Sequence, residues 1–508
     1  GANNDILKSR GNAVITFFLN GQQVSESSIQ PDMTVLRYLR TRQTLTGTKE
    51  GCGSGDCGAC SVLAGEMENG EWRYKAINSC ITFLAQIDGK SLITVEAIAN
   101  GDTLHPAQQA MVDKHGSQCG FCTPGIVMSL TALFENTPTD KTFTLHEIYD
   151  ALSGNLCRCT GYKPIIEAAQ SMKSYPGKIK AEIWSPSNAS PSNTNAVTQS
   201  TEGQAWSVRS EDELKAILKQ HPDARMVAGA TDLALEVTQM NRRIEKLVAI
   251  NQVTSLKAIS EDEKYLTIGG AATLTDSEQA LRAHFPEFAQ LLERFAARQV
   301  RNGGTMGGNI ANASPIGDTP PVLIALNADI EIASAAGNRW IALDSFYLDY
   351  KKTLLQKGEY IRAIRIPRRE ACEYLKVYKI SKRLEDDISA VLMAIKLKVQ
   401  GGKITAVRTG FGGMAAIPKS GSAIESALIN QPMTVETFRK AGEKVSEDFQ
   451  PFSDVRASAS YRIQVTQGLL EKTALEILNP DSISRVESIL TTQLQSNDVV
   501  SVQEANNA

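Results

Sequence analysis

No stretch of this sequence approaches the ~18 consecutive apolar residues of a membrane-spanning helix, so no membrane association is expected. The opening GANNDILKSR lacks the apolar core of a secretory signal, and its leading glycine suggests a processed end. Basic charge is not in excess either. With 53 Lys and Arg against 56 Asp and Glu, the formal net charge is -3, which offers nucleic acid no electrostatic footprint. Histidine is scarce, with five in 508 residues, and none lies beside a cysteine as a Rieske centre requires. These absences point to a cytoplasmic protein, and disulfides rarely persist in that compartment. The length allows three or four domains, each with its own core, and an apolar content of 42% is ordinary for a globular chain.

Cysteine is present, and its distribution is uneven. Eight of the nine fall between Cys52 and Cys159, in two groups of four. The stretch GCGSGDCGAC, residues 51–60, spaces Cys52, Cys57 and Cys60 as C-x4-C-x2-C, with Cys80 further on. That is the plant-type spacing for a [2Fe–2S] cluster. Its glycines suit a loop wrapped around a flat two-iron rhomb, because they tolerate positive φ and let backbone N–H groups approach the sulfurs. The second group is Cys119 and Cys122 in CGFC, then Cys157 and Cys159 in CRC. Four thiolates can also hold zinc, so this group alone is ambiguous. Gly53, Gly55 and Gly58 satisfy the dinucleotide pattern G-x-G-x-x-G, but no strand-like run precedes them and a cysteine interrupts them, so a phosphate loop is not expected.

Around the clusters the pattern predicts two small domains. AVITFFLNGQQVSES reads as a hairpin turning at Asn20 and Gly21, followed by a short amphipathic helix with Val35, Leu36 and Leu39 on one side. SVLAGE and WRYKAI give further strands. From about Asp102 the pattern is helical: Thr123 is expected as an N-cap with Pro124 after it, Thr144 and Glu147 form a capping box, and Pro164 opens another helix. Both later cysteine pairs then precede helix N-termini, whose positive ends suit an anionic cluster. His105, His115 and His146 are expected as surface or capping residues. Residues 185–201 read as a polar linker. Beyond it, Ser210 and Glu213 cap a helix, and RMVAGATDLAL runs from a strand into a small-residue turn. NGGTMGGNIANASPIGD, residues 302–318, is by itself equally a cofactor cradle or an ordinary surface loop.

These motifs together resemble the iron–sulfur and flavin subunit of bacterial xanthine dehydrogenases, in the molybdenum hydroxylase family. GCGSGDCGAC with Cys80 is similar to that family's ferredoxin-like loop, CGFCTPG and CRCTGY to its helical cluster domain, and VAGATDL and GGNIANASPIGD to its flavin-binding segments. YKKTLL and SKRLEDDISAV resemble later segments near the flavin. The resemblance implies an α+β multidomain chain. It would comprise a β-grasp ferredoxin-like domain (1–98), a helical-bundle [2Fe–2S] domain (99–180), a linker (181–203), a vanillyl-alcohol-oxidase-type FAD domain (204–370), an α+β C-terminal domain (371–485) and a tail (486–508).

Residue by residue, the resemblance assigns Val227, Ala228, Gly229, Ala230, Thr231, Asp232 and Leu233 to the FAD pyrophosphate. Phe295 would stack on a cofactor ring, although without the family its context reads more strongly as a core phenylalanine on an amphipathic helix. Thr305, Gly308, Asn309 and Asn312 would bond the diphosphate and ribityl region, and Asp318 a sugar hydroxyl. Ile361 would touch the flavin edge, Lys379 its polar ring, and Asp386 would act near the flavin and NAD+. Without the family, Glu385, Asp386 and Asp387 read as a solvated acidic turn. Ala230 departs from the polar residue usual at its position. Cys372 is expected as a small packed hydrophobe.

The implied activity is electron transfer from a molybdenum-cofactor partner chain through two [2Fe–2S] clusters to FAD and then NAD+, in purine hydroxylation. The molybdenum cofactor would reside on the partner only, in a heteromer such as (αβ)2. The alternatives are the equivalent subunit of an aldehyde or N-heterocycle hydroxylase, or a stand-alone reductase module.

Overall fold

The computed structural model describes residues 13–229, 231–295, 297–381, 391–454, 457–480 and 500–501. They fall into two compact units. The first comprises Gly1–Lys257, Thr273–Thr275 and Ala297–Thr305, and the second Ala258–Ala272, Asp276–Ala296 and Met306–Ala508.

The first unit opens with antiparallel strands Ile15–Leu19 and Gln22–Glu26. Asn20 and Gly21 between them have φ of 51° and 85°, the two left-handed residues that a tight hairpin turn demands. The five-stranded sheet has the order Gln22–Glu26, Ile15–Leu19, Ser91–Ile93, Ser61–Glu68, Glu71–Asn78, with Ser91–Ile93 parallel to the first strand. Against it lies the predicted helix, which begins as one α-turn, Val35–Arg37, and continues as a π-turn, Tyr38–Arg42. The change of period adds Tyr38 to the buried set of Val35, Leu36 and Leu39.

Helices Pro106–Asp113, Thr123–Asn136, Leu145–Leu152 and Lys163–Ser171 follow, sharing a core that includes Ile126, Leu130, Ile148 and Ile165. One expectation is corrected here. Cys122, not Thr123, is the residue before the first turn, so Thr123 and Pro124 both lie inside the helix. His105 caps, as one of the two expected roles, accepting from the Ala107 amide; it is 1% exposed, and its other nitrogen meets Glu135 at 2.9 Å. His115 and His146 are exposed, as expected.

The polar linker is also corrected. Its second half is the strand Ala196–Ser200, paired with Gly203–Ser207. Its first half is anchored: Ser187 O accepts from the Trp72 indole, and Ser192 Oγ donates to the buried Asp88. Composition reported polarity, and these hydrogen bonds supply the order that composition cannot reveal. The strand pair leads into a sheet of order Ala196–Ser200, Gly203–Ser207, Lys246–Ala249, Arg225–Val227, whose last three strands are parallel, and Ser210 caps Glu211–Gln220 as predicted.

In the second unit, an antiparallel sheet has the order Ile259–Glu261, Tyr265–Gly269, Tyr360–Pro367, Asp329–Ser334, Gly337–Ala342. A second antiparallel sheet contains Glu373–Ser381, Val391–Gln400 and Lys403–Gly412. Helices Val435–Gly442 and Ala459–Leu478 pack on it through Phe438 and Leu469, over Val391, Met393 and Phe411. Cys372 does not pack: it is exposed with φ 64°, in the turn before Glu373–Ser381, where a left-handed residue carries its side chain outward. Among the described residues no helix is long and apolar enough to cross a membrane.

Candidate cluster and flavin sites

The first cysteine quartet sits on a loop whose amides converge on sulfur. Cys52 Sγ accepts the backbone N–H of Ser54 at 3.3 Å, Asp56 at 3.2 Å and Cys57 at 3.4 Å. Gly53, Gly55 and Gly58, with φ of 65°, 80° and 74°, curl the chain so that these amides point inward. The dinucleotide pattern is indeed a decoy, since the loop leads into the strand Ser61–Glu68 and not into a helix. Cys60 and Cys80 are buried, and Cys52 and Cys57 half-buried. The four thiols interact in one chain, Cys57 with Cys52, Cys52 with Cys80 and Cys80 with Cys60. Hydrogen bonds from Cys57 and Cys80 hold the Cys52 thiol well below its ordinary range, while Cys57 is pushed up chiefly by its bond to Cys52.

In the second quartet Cys119 interacts with Cys159 and Cys122 with Cys157. Burial, followed by the Cys157 bond, pushes the Cys122 thiol up to about 12. Cys157 is tethered twice: its Sγ lies 3.2 Å from Thr160 Oγ1, and its amide donates to the Tyr162 hydroxyl at 2.9 Å. Helices Thr123–Asn136 and Lys163–Ser171 start immediately beyond the two cysteine pairs, as predicted. Cys119 and Cys159 are exposed, beside the exposed Phe121 and the exposed Leu156.

The two loops touch. Leu156 N donates to Cys57 O at 2.9 Å. A Cβ on Gly58 would lie 2.2 Å from Gly154 O, and one on Gly125 would lie 2.2 Å from Gly58 O, so only glycine permits this approach. Among the described residues no three His, Cys, Asp or Glu side chains close on a single ion. Two quartets of interacting thiols, the first with three amides aimed at Cys52, suit the ligation of anionic iron–sulfur clusters.

The flavin-assigned residues occur in both units. In the first, Val227 ends Arg225–Val227, Ala228 and Gly229 form the turn, and Thr231, Asp232 and Leu233 open the helix Thr231–Thr238. Gly229 is fixed by close packing, since its Cβ would stand 2.1 Å from Gly303 O. Thr305 is buried and bridges to Thr273. In the second, Gly308, Asn309 and Asn312 lie on Met306–Asn312, with Gly308 exposed and both asparagines half-buried. Gly307 is the packing glycine, its Cβ position 2.4 Å from Gly270 O, whereas the neighbouring Gly308 is exposed. Ile361 is buried on Tyr360–Pro367, and Asp318 and Lys379 form a buried ion pair of 2.9 Å. Within the first unit, the small residues Ala228 and Gly229 at the end of a strand are of the kind that lets a phosphate approach the backbone. Phe295 is the last residue of the helix Pro286–Phe295. Ala230 and Asp386 lie outside the described residues.

Sequence reasoning missed Asn155, Tyr162 and Gln299, which bind the cluster loops to their supports. Tyr162 stands in the recognised CRCTGY and was legible by its place; Asn155 and Gln299 carry no local signal.

Four families match consecutive parts of the chain: "2Fe-2S iron-sulfur cluster binding domain" at residues 17–85, "[2Fe-2S] binding domain" at 94–170, "FAD binding domain in molybdopterin dehydrogenase" at 200–369, and "CO dehydrogenase flavoprotein C-terminal domain" at 376–477. A xanthine dehydrogenase from Emericella nidulans is 33% identical over 92% of this chain and 39% of its own length. A xanthine dehydrogenase/oxidase from Gallus gallus is 31% identical over 79% of this chain and 35% of its own. The chain thus spans less than two fifths of these relatives. Among solved structures, a carbon monoxide dehydrogenase chain from Hydrogenophaga pseudoflava aligns with a TM-score of 0.50 at 27% identity, covering 52% of this chain and 93% of that one. With two [2Fe–2S] domains, an FAD-binding domain and a flavoprotein C-terminal domain in this order, the chain belongs to the molybdenum hydroxylase family.

Proposed function

We propose that this chain is the electron-transfer subunit of a xanthine dehydrogenase, working with a separate molybdenum-cofactor subunit in a heteromer such as (αβ)2 and using NAD+ as acceptor. The observation that carries it is the direct junction of the two thiol quartets through Leu156 N and Cys57 O. Bound, the clusters pass single electrons and the flavin exchanges them in pairs with a nicotinamide. Cys52, Cys57, Cys60 and Cys80 hold the first cluster, and the amides of Ser54, Asp56 and Cys57 stabilise negative charge on Cys52. Cys119, Cys122, Cys157 and Cys159 hold the second. Cys119, Cys159, Phe121 and Leu156 on these loops are exposed, and the partner is expected on this side. The FAD contacts are those assigned above, with the exposed Gly308 admitting the cofactor.

The test is purification of the chain with whatever co-purifies, followed by anaerobic addition of xanthine, then of NADH. Bleaching by xanthine only when a molybdenum protein is present, and by NADH in either case, supports the proposal; bleaching of the isolated chain by xanthine refutes it. A second reading, the equivalent subunit of an aldehyde or N-heterocycle hydroxylase, draws support from the C-terminal match and the carbon monoxide dehydrogenase likeness. Bleaching of the same complex by an aldehyde or a quinoline, and not by xanthine, would select it.

A further inference from the structure

Residues Ala297–Thr305 belong to the first unit, although the stretches on both sides of them belong to the second. Within this segment the short helix Arg298–Gly303 buries Gln299 to 2% exposure. Gln299 Nε2 faces three acceptors: Ser129 Oγ at 2.9 Å, Asn155 Oδ1 at 3.1 Å and Ser61 Oγ at 3.3 Å.

Each acceptor supports a cluster loop. Ser61 follows Cys60 directly, and its hydroxyl donates to Gly58 O at 2.7 Å, within the span between Cys57 and Cys60. Ser129 lies on the helix that begins just after Cys122, and its hydroxyl donates to Asn155 Oδ1 at 2.6 Å. Asn155 stands two residues before Cys157. Its Nδ2 donates to the same Gly58 carbonyl at 3.3 Å, and its own carbonyl accepts from Tyr162, which in turn accepts from the Cys157 amide. One amide group therefore touches the footing of both loops, and everything it touches leads to Gly58 or to Cys157.

The other end of the side chain argues against a purely stabilising role. Gln299 Oε1 is buried without a hydrogen-bond partner, and a Cβ on Gly154 would lie 2.2 Å from it. An amide oxygen buried in this way costs stability that a methionine of similar length would not incur. The two hydrogens of Nε2 serve three acceptors, so the contact is a shared, directional one. What glutamine supplies and methionine lacks is registration of the two loops.

We propose that Gln299 is a positioning residue that fixes the spacing and orientation of the two cluster loops, holding the Leu156–Cys57 hydrogen bond in register. It touches no cluster ligand and transfers nothing itself. The proposal rests on the two-cluster reading above.

The experiment uses the full chain with its clusters, reduced by dithionite and examined by low-temperature electron paramagnetic resonance. Two reduced clusters split each other's signals by a dipolar interaction that falls with the cube of their separation and depends on their mutual orientation. Gln299→Met keeps the volume and removes the donors. It is expected to retain wild-type iron and sulfide while its splitting is altered or smeared into a broad distribution. Arg298→Ala, which removes a half-exposed ion pair to Asp150 on the same segment, is expected to keep the wild-type splitting. If Gln299→Met fails to retain iron, Ser129→Ala takes its place and is expected to show a smaller change of the same kind. Full iron with unchanged splitting in whichever variant is measured overturns the proposal, as does an equal change in Arg298→Ala. A wild type that holds four irons without any splitting also overturns it. Wild-type protein that cannot be loaded with two clusters overturns the underlying reading instead, so the two failures are distinguishable.

Discussion

Lys379 Nζ lies 2.9 Å from Asp318 Oδ2, and both side chains are almost wholly buried. Asp318 occupies the N-cap position of the helix Thr319–Ala325 yet makes no side-chain capping bond there. Its carboxylate instead ties the end of the glycine-rich segment to the strand Glu373–Ser381. Lys379→Met is expected to lower the stability of the second unit by about 3 kcal/mol, because removing one partner leaves the other charge buried without it. The double variant with Asp318→Asn is expected to recover most of that loss. Denaturant unfolding of the four-member mutant cycle measures it, and simple additivity of the two single costs would show that the pair is not coupled.

The acid stability of the first unit has a separate handle. Lys90 Nζ at 2.8 Å and Lys257 Nζ at 3.4 Å hold the Glu66 carboxyl at about 2, against an ordinary 4.5. A depressed carboxylate stabilises the fold above its unfolded value and loses that contribution as pH falls toward the folded one. The gain is thus complete above about pH 5 and gone near pH 2. A third of the Glu66 side chain is exposed, and solvent screening reduces the gain to about 1 kcal/mol. Glu66→Gln is expected to flatten the stability profile between pH 2 and 5 and to lower it at pH 7. Unchanged slopes in urea titrations across that window would remove Glu66 as a cause.

How far the sequence spoke for itself differs from place to place. Local chemistry was legible where one or two residues determine it: Asn20 and Gly21 for the hairpin, Ser210 for a cap, the glycines around Cys52, Cys57 and Cys60 for a tightly curled loop. What depended on distant partners was not. The strand Ala196–Ser200 is polar, and only pairing with Gly203–Ser207 makes it a strand. Gln299, in FAARQVRN, carries no local signal of burial, which follows from the segment's place among the cluster loops. Cys372 failed for the opposite reason: its type favours burial, but a left-handed turn turns it outward.

The cysteine quartets make a prediction about metal. The purified chain is expected to carry four irons and four sulfides, following two [2Fe–2S] centres. Cys57→Ser is expected to abolish one paramagnetic signal and leave the other, and Cys159→Ser the reverse. Zinc in stoichiometric amount at either group, measured by elemental analysis, would contradict that half of the assignment.

Two adjacent glycines separate packing from cofactor binding. Gly307 abuts the Gly270 carbonyl, whereas Gly308 is exposed on the same helix. Gly307→Val is expected to destabilise the second unit outright, since a Cβ there overlaps backbone. Gly308→Val is expected to fold, to keep both clusters and to lose FAD, because its side chain would occupy the cofactor's approach. The flavin is expected to leave wild-type protein on acid treatment, as a non-covalent group does. Flavin that stays with the denatured chain, or a Gly308→Val protein with full flavin, would displace FAD from this helix.

The division of labour between two chains can be tested by supplying each end of the reaction in turn. Supplied with NADH under anaerobic conditions, the isolated chain is expected to reduce an artificial dye, because the flavin-binding and cluster-binding domains are all within it. With xanthine or hypoxanthine alone it is expected to show no turnover, since the hydroxylation site is assigned to the partner. Adding the molybdenum subunit is expected to restore reduction of NAD+ by xanthine. Asp386→Ala is then expected to slow the nicotinamide half-reaction at least several-fold while leaving reduction of the molybdenum subunit by xanthine unchanged. Rapid mixing separates the two half-reactions and so isolates the effect. A flavin that NADH cannot reduce would transfer the proposal to a hydroxylase with another acceptor, and xanthine turnover by the isolated chain would end the two-chain assignment altogether.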